Sequence, residues 1–240
     1  MSTAAQTKPS TASHTNPKPA KAPAGSPVKR LYLTLYNAVS CGLWAVILYR
    51  VVSVLVENYT KEPFLGTVKR KENAWYETGE FVKWVQTGAL LEVVHSLLGI
   101  VRAPVTTTAL QVASRVVLVW GICDQFPSVP ANSLFYSSML VAWSVTEVVR
   151  YGFFVFSLNG FVPGVLSWLR YNLFFVLYPL GISSEMALVY KSIPLAKKRD
   201  ERLEYVMYAI LGIYFPGAYI LYTHMMAQRK RVMRGKAKTT

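Results

Sequence analysis

Tyr178 and Glu185 are the residues whose types and spacing best suit proton chemistry. They lie in residues 170–190, RYNLFFVLYPLGISSEMALVY, a stretch apolar enough to sit in a bilayer yet carrying Arg170, Tyr178 and Glu185. A charge at the bilayer centre costs about 2.5–3.5 kcal/mol on insertion scales, so an ionisable residue at that depth is a functional candidate by default. On an unbroken helix seven steps return nearly to the same face, about 10.5 Å further along the axis. A phenol and a carboxylate so placed address two atoms of one elongated substrate. Pro179 and Gly181 lie between them and predict a kink or a loosened turn at that point. Loosened backbone at membrane depth is tolerated where it lines a protein cavity. The residues alone leave two readings open, an intramembrane acid–base site and a buried structural polar cluster.

Such a stretch needs partner helices. Apolar segments occupy residues 31–56, 80–101, 105–122, 133–156, 164–190 and 205–228. Most reach the roughly 20 residues needed to cross the hydrocarbon layer. The second is the weakest, because it contains Lys83, Glu92 and His95. Residues 57–79 read as a polar loop outside the bilayer, and 124–132, with Pro127 and Pro130, read as a turn. The expected organisation is a disordered basic tail over 1–30, a six-helix transmembrane domain over 31–228 and a second basic tail over 229–240. The fold class is therefore all-α, a polytopic membrane bundle.

Composition agrees. The 240 residues are 52% hydrophobic and only 16% charged, whereas a soluble domain carries about 25% charged residues. The net charge of +14 is concentrated at the ends. Residues 1–30 hold Lys8, Lys18, Lys21, Lys29 and Arg30 with no acid; residues 228–240 hold Arg229, Lys230, Arg231, Arg234, Lys236 and Lys238. A charge pattern confined to tails implies no folded basic face, which argues against nucleic acid as a partner. Positive-inside asymmetry places both tails in the cytoplasm and requires an even number of spans, and anionic lipid would attract them. One feature conflicts. The connection between the last two segments carries Lys191, Lys197, Lys198, Arg199 and Arg202, and six simple spans place it on the opposite side.

The spans contain Glu92, Glu147 and Glu185 against Arg115, Arg150 and Arg170, a balance suited to internal pairing. Glu147 and Arg150 are three residues apart and can pair on one helix face, more as a clamp than as catalysts. Glu92 and His95 share that spacing, but a metal centre lacks further partners, since His14 lies in the tail and His224 near the end of the last segment. Cys41 and Cys123 offer neither a disulfide framework nor metal-ligand spacing. From His95 to Arg102 runs His-Ser-Leu-Leu-Gly-Ile-Val-Arg, the outline of a tyrosine-phosphatase loop. Ser96 stands where that chemistry needs a low-pKa thiolate, so phosphatase activity is excluded.

The stretches LEVVHSLLGIVRAP, QVASRVVLVWGI, AWSVTEVVRYGFFVF, LRYNLFFVLYPLGISSE and HMMAQRKRVM, with the spacing between them, make the chain resemble the 3-hydroxyacyl-CoA dehydratase family of the endoplasmic reticulum. The resemblance covers roughly residues 31–233. It implies a six-helix membrane bundle with both ends cytosolic, and the third step of very-long-chain fatty-acid elongation, in which 3-hydroxyacyl-CoA loses water to give trans-2-enoyl-CoA. The family's catalytic pair falls on Tyr178 and Glu185, and its supporting residues on Arg170, Gly181, Arg115 and Arg150. The chemistry suits a desolvated carboxylate as base at the carbon next to the thioester and a phenol as donor to the departing hydroxyl; the reverse assignment stays open. An arginine would stabilise charge on the thioester oxygen or hold the CoA phosphates. No nicotinamide, flavin or metal is called for. The implied partners are the acyl-CoA substrate, membrane lipid, the elongase condensing enzyme and the two reductases of the cycle. The terminal Lys236-Ala-Lys238-Thr-Thr matches a retrieval signal for the endoplasmic reticulum. The competing readings are a non-catalytic scaffold of the elongase complex, which would tolerate loss of Tyr178 or Glu185, and a transporter, against which the absence of repeated halves counts.

Overall fold

The computed structural model describes residues 26–61 and 73–237, and among these every regular element is helical. In chain order they are α1 (Pro27–Lys61), α2 (Ala74–Gly88), α3 (Leu90–Leu97), α4 (Val105–Val116) continuing into a π-helical segment (Val117–Cys123), α5 (Ser128–Ala131), α6 (Leu134–Leu158), α7 (Gly164–Asn172), α8 (Phe174–Arg199) and α9 (Glu201–Ala237). Residues 1–25 of the expected disordered head, 62–72 of the expected 57–79 loop and 238–240 at the end lie outside the described residues; residues 27–30 and 57–61 are helical in α1, and 74–79 in α2.

Local chemistry sets the boundaries. The Asn73 side chain accepts from Trp75 N at 3.0 Å and starts α2, and Ser133 does the same for Phe135 N at 3.3 Å to start α6. Pro104 and Pro163 stand at the N-caps of α4 and α7. Gly99 and Gly160 turn the chain at φ +64° and +84°, the left-handed region that a side chain disfavours. Asp200, extended at φ −163°, separates α8 from α9, and its carboxylate accepts from Arg202 N at 2.8 Å.

The core lies where α1, the π-helical segment, α6 and α8 meet. Trp44, Ile47 and Val51 from α1 join Leu118 and Ile122, Met139, Leu140 and Trp143 from α6, and Leu188 and Val189 from α8. Trp44 and Trp143 meet edge to face at 6.5 Å. Apolar side chains elsewhere on α1 and α9 point outward, as they do where lipid rather than water is the solvent. α8 and α9 form an antiparallel hairpin around Asp200: Lys197 pairs with Glu204, Glu185 with Tyr214 and Tyr178 with Ala218, and Asn172 at the end of α7 meets Arg229.

Two expectations change. The bend near the site falls at Leu173, where α7 and α8 diverge by 45°, while α8 runs unbroken through Pro179 and Gly181. Pro179 lies early in α8, so the intrahelical bond that its missing N–H forgoes is the one to Phe175, the second residue of the helix. The basic connection over residues 191–202 is helix rather than loop, with Asp200 its one non-helical residue. Among the described residues four helices can cross a membrane by length and apolar character, in α1, α4 with its π-helical extension, α6 and α9, and the bent α7–α8 pair makes a fifth if it is one span. The weak second segment is divided between α2 and α3 at Ala89 and is not among them.

Candidate active site

α6 displays Trp143, Glu147 and Arg150 at successive turns, so one stripe of this helix faces α3, α4 and α8 together. Arg150 grips Glu92 of α3 with two parallel bonds of 2.7 Å and donates through Nε to Glu147 at 2.6 Å. Glu147 also pairs with Arg115 of α4. Glu92 takes a further hydrogen bond from the Tyr151 hydroxyl. Two carboxylates and two guanidinium groups thus close a charge-balanced cluster in which Glu147 is almost fully buried, at 2% exposure. Good geometry and several donors per carboxylate are what such a cluster needs to offset desolvation. The clamp expected from Glu147 and Arg150 is present, with Glu92 and Arg115 as its other members.

Glu185 is handled differently. It is buried on α8, and its two oxygens accept from neutral donors: Oε1 from Trp143 Nε1 at 2.8 Å and Oε2 from the Tyr214 hydroxyl of α9 at 3.0 Å. Among the described residues no cation pairs with it directly. The Arg115 guanidinium lies 4.9 Å from the centre of the Trp143 ring and acts on Glu185 through space without bonding to it. One turn before Glu185, Gly181 faces α6. A Cβ there would stand 3.9 Å from Glu185 Oε1 and 3.7 Å from Ala142 Cβ, so the missing side chain leaves room for one carbon beside the carboxylate.

Tyr178 is half-buried on α8, its hydroxyl donating to the Ala218 carbonyl of α9 at 2.9 Å and its ring lying 5.8 Å from that of Tyr222. Arg170 likewise has no carboxylate bound to it among the described residues. Its guanidinium rests on Phe153 and Phe154, 4.3 and 4.7 Å from the ring centres. The structure therefore gathers Glu185, Gly181 and, through Trp143, Arg115. Arg150 sits in the neighbouring clamp, and Arg170 is held apart among aromatic faces. The π-helical segment begins two residues after Arg115, a local widening of the kind often found beside functional sites.

Sequence reasoning missed Trp143 and Tyr214. Trp143 carried a readable signal, since it lies one turn before Glu147 on the stripe that holds Arg150. Tyr214 carried none that separates it from the other tyrosines of the chain. The His95–Arg102 pattern proves architectural: Ser96 Oγ donates to the Ala103 carbonyl at 2.7 Å, the His95 carbonyl receives Ile100 and Val101 N, and the His95 ring nitrogen meets the Tyr32 hydroxyl at 2.7 Å.

Comparison with known proteins decides the family. Residues 86–235, which hold every side chain of the site, match the protein tyrosine phosphatase-like protein family, PTPLA. The chain belongs to this family. It is 45% identical over 211 residues to a probable very-long-chain (3R)-3-hydroxyacyl-CoA dehydratase of Schizosaccharomyces pombe, covering 88% of this chain and 96% of that protein. It is 39% identical over 229 residues to the rice dehydratase PASTICCINO 2B, covering 89% and 97%. With human very-long-chain (3R)-3-hydroxyacyl-CoA dehydratase 2 it shares 33% over 220 residues, covering 86% and 82%. No solved structure matches. The phosphatase likeness in the family's description finds no thiolate in this chain, where the corresponding loop is tied by Ser96.

Proposed function

We propose that this protein removes water from very-long-chain (3R)-3-hydroxyacyl-CoA to give trans-2-enoyl-CoA, the activity its relatives are named for. One observation carries the site assignment: of the three intramembrane carboxylates, Glu185 alone is buried without a cation bound to it. A carboxylate locked to guanidinium groups is a poor proton acceptor. One held by neutral donors keeps basic lone pairs in a dry site, where charge acts strongly.

Glu185 takes the proton from C2, the C2–H electrons form the C2–C3 double bond, and the C3–O bond breaks. Tyr178 supplies the proton that lets the oxygen leave as water. The cycle closes when the proton on Glu185 returns, directly or through solvent, to the Tyr178 phenolate. In the present arrangement the Tyr178 proton is engaged by Ala218, so its hydroxyl must turn from that carbonyl to the substrate. Arg170, free of carboxylates, suits the CoA phosphates, and Arg115 supports Trp143 and the charge of Glu185. Arg150 belongs to the clamp.

Six spans with cytosolic tails, residence in the endoplasmic reticulum, and association with the condensing enzyme and reductases of elongation complete the reading. The basic tails support the cytosolic placement of both ends.

The test is turnover of a very-long-chain (3R)-3-hydroxyacyl-CoA by detergent-purified protein, followed as 2-enoyl-CoA by mass spectrometry. Wild type turns over, while Glu185→Gln and Tyr178→Phe fall by about 10²- to 10⁴-fold with unchanged melting. No wild-type turnover across several chain lengths overturns the dehydratase reading. Full activity in both variants moves the site elsewhere.

A further inference from the structure

We infer that Tyr214, on α9, is a positioning residue for the dehydration, and that with Trp143 it fixes the plane in which Glu185 presents its oxygens. The inference rests on Glu185 acting as the base.

The argument begins with the carboxylate's freedom. A glutamate side chain rotates broadly about its terminal bond, and a base must offer a lone pair in one direction to a carbon-bound proton. Trp143 Nε1 and the Tyr214 hydroxyl each bind a different oxygen, at 2.8 and 3.0 Å, and come from different helices. Two donors on two oxygens set that rotation. A carboxylate has about four lone-pair sites, so two remain for the reaction. Oε1 is the oxygen nearest Gly181, where a Cβ would stand 3.9 Å away, so no side chain covers that edge of the fixed carboxylate.

Both donors are neutral, which orients the base without an ion pair. The contrast with Glu147, bound by Arg115 and Arg150, shows that a cationic solution was available to this bundle one turn away along α6. Trp143 is fixed by the core, at 3% exposure, and by its edge contact with Trp44. Tyr214 is fixed by the α8–α9 hairpin, which also brings Ala218 to Tyr178. The last helix is thus part of the site, and a chain lacking it would leave one oxygen of Glu185 without its donor.

The test compares wild type, Tyr214→Phe and Tyr219→Phe in detergent, using substrate carrying protium or deuterium at C2. Tyr219 is exposed on the same helix and serves as the control. Tyr214→Phe is expected to lower kcat on the order of 10- to 100-fold. KM should stay within about twofold, and the deuterium effect should rise as proton removal becomes slower. Tyr219→Phe matches wild type. Melting and gel-filtration profiles identify a misfolded variant, and Trp143→Phe then serves as the second probe, with the same signature expected. Unchanged kcat in Tyr214→Phe, or a loss confined to KM with an unchanged isotope effect, overturns the inference while leaving the dehydratase intact. An inactive wild type removes both together.

Discussion

Two regions packed against α6 treat charge in opposite ways. Toward α3 and α4, Arg150, Glu92, Glu147 and Arg115 neutralise one another through short, multiple bonds. Toward α8 and α9, Glu185 meets only an indole and a phenol, and Arg170, near the α7–α8 bend, meets only aromatic rings. In a bilayer both arrangements are costly, and the first recovers its cost by tying helices together. The second leaves one anion and one cation available to a substrate that brings an acidic C–H and phosphate groups. The order of residues shows charges among the apolar segments; the pairing shows that Glu92, Glu147, Arg115 and Arg150 form one clamp.

Substitutions on the two sides should separate accordingly. Glu185→Gln is expected to have the largest effect, a turnover loss of about 10²- to 10⁴-fold with the melting temperature unchanged or raised. A large fall in melting would place Glu185 in the architecture. Arg150→Met leaves Glu92 and Glu147 short of their cation and should cost about 3–5 kcal/mol of stability. Detergent melting reads that loss, and adding Glu92→Gln should restore part of it. Arg170→Met should leave melting nearly untouched and raise KM for acyl-CoA about 10-fold, as when a charged hydrogen bond to ligand is lost. Equal effects on free CoA binding and on KM would fix the phosphates as its target. The smallest effect belongs to Tyr32→Phe, which removes the hydroxyl that meets His95. About 1 kcal/mol of stability and no change in turnover are expected; an activity loss would extend the site into the first helix.

Much of this was legible in the order of residues. Segments of apolar residues near 20 in length marked α1, α4 with its extension, α6, α7–α8 and α9, because the bilayer leaves few other conformations open to them. Spacing of three announced Glu147–Arg150, and the depth of Glu185 announced a reason for its charge. The partners that come from far along the chain were hidden. Glu92 lies 58 residues from Arg150, Trp143 lies 42 from Glu185 and Tyr214 lies 29 from it, and periodicity within one helix says nothing about which face another helix presents. The bend was misplaced for a related reason. Pro179 signals a gap in the hydrogen-bond ladder, but the bend lies at Leu173, a residue whose type gives no such signal.

The single residue joining α8 to α9 makes the hairpin a ruler. With only Asp200 between them, the angular phase of the last helix is set by counting back from the joint. One added residue would advance every side chain beyond it by about 100° and 1.5 Å. Tyr214 would leave Glu185 and Ala218 would leave Tyr178 in the same stroke, though no atom of the site had changed. Deletions and insertions near Asp200 are therefore expected to be silent in composition, mild in hydropathy and ruinous in activity.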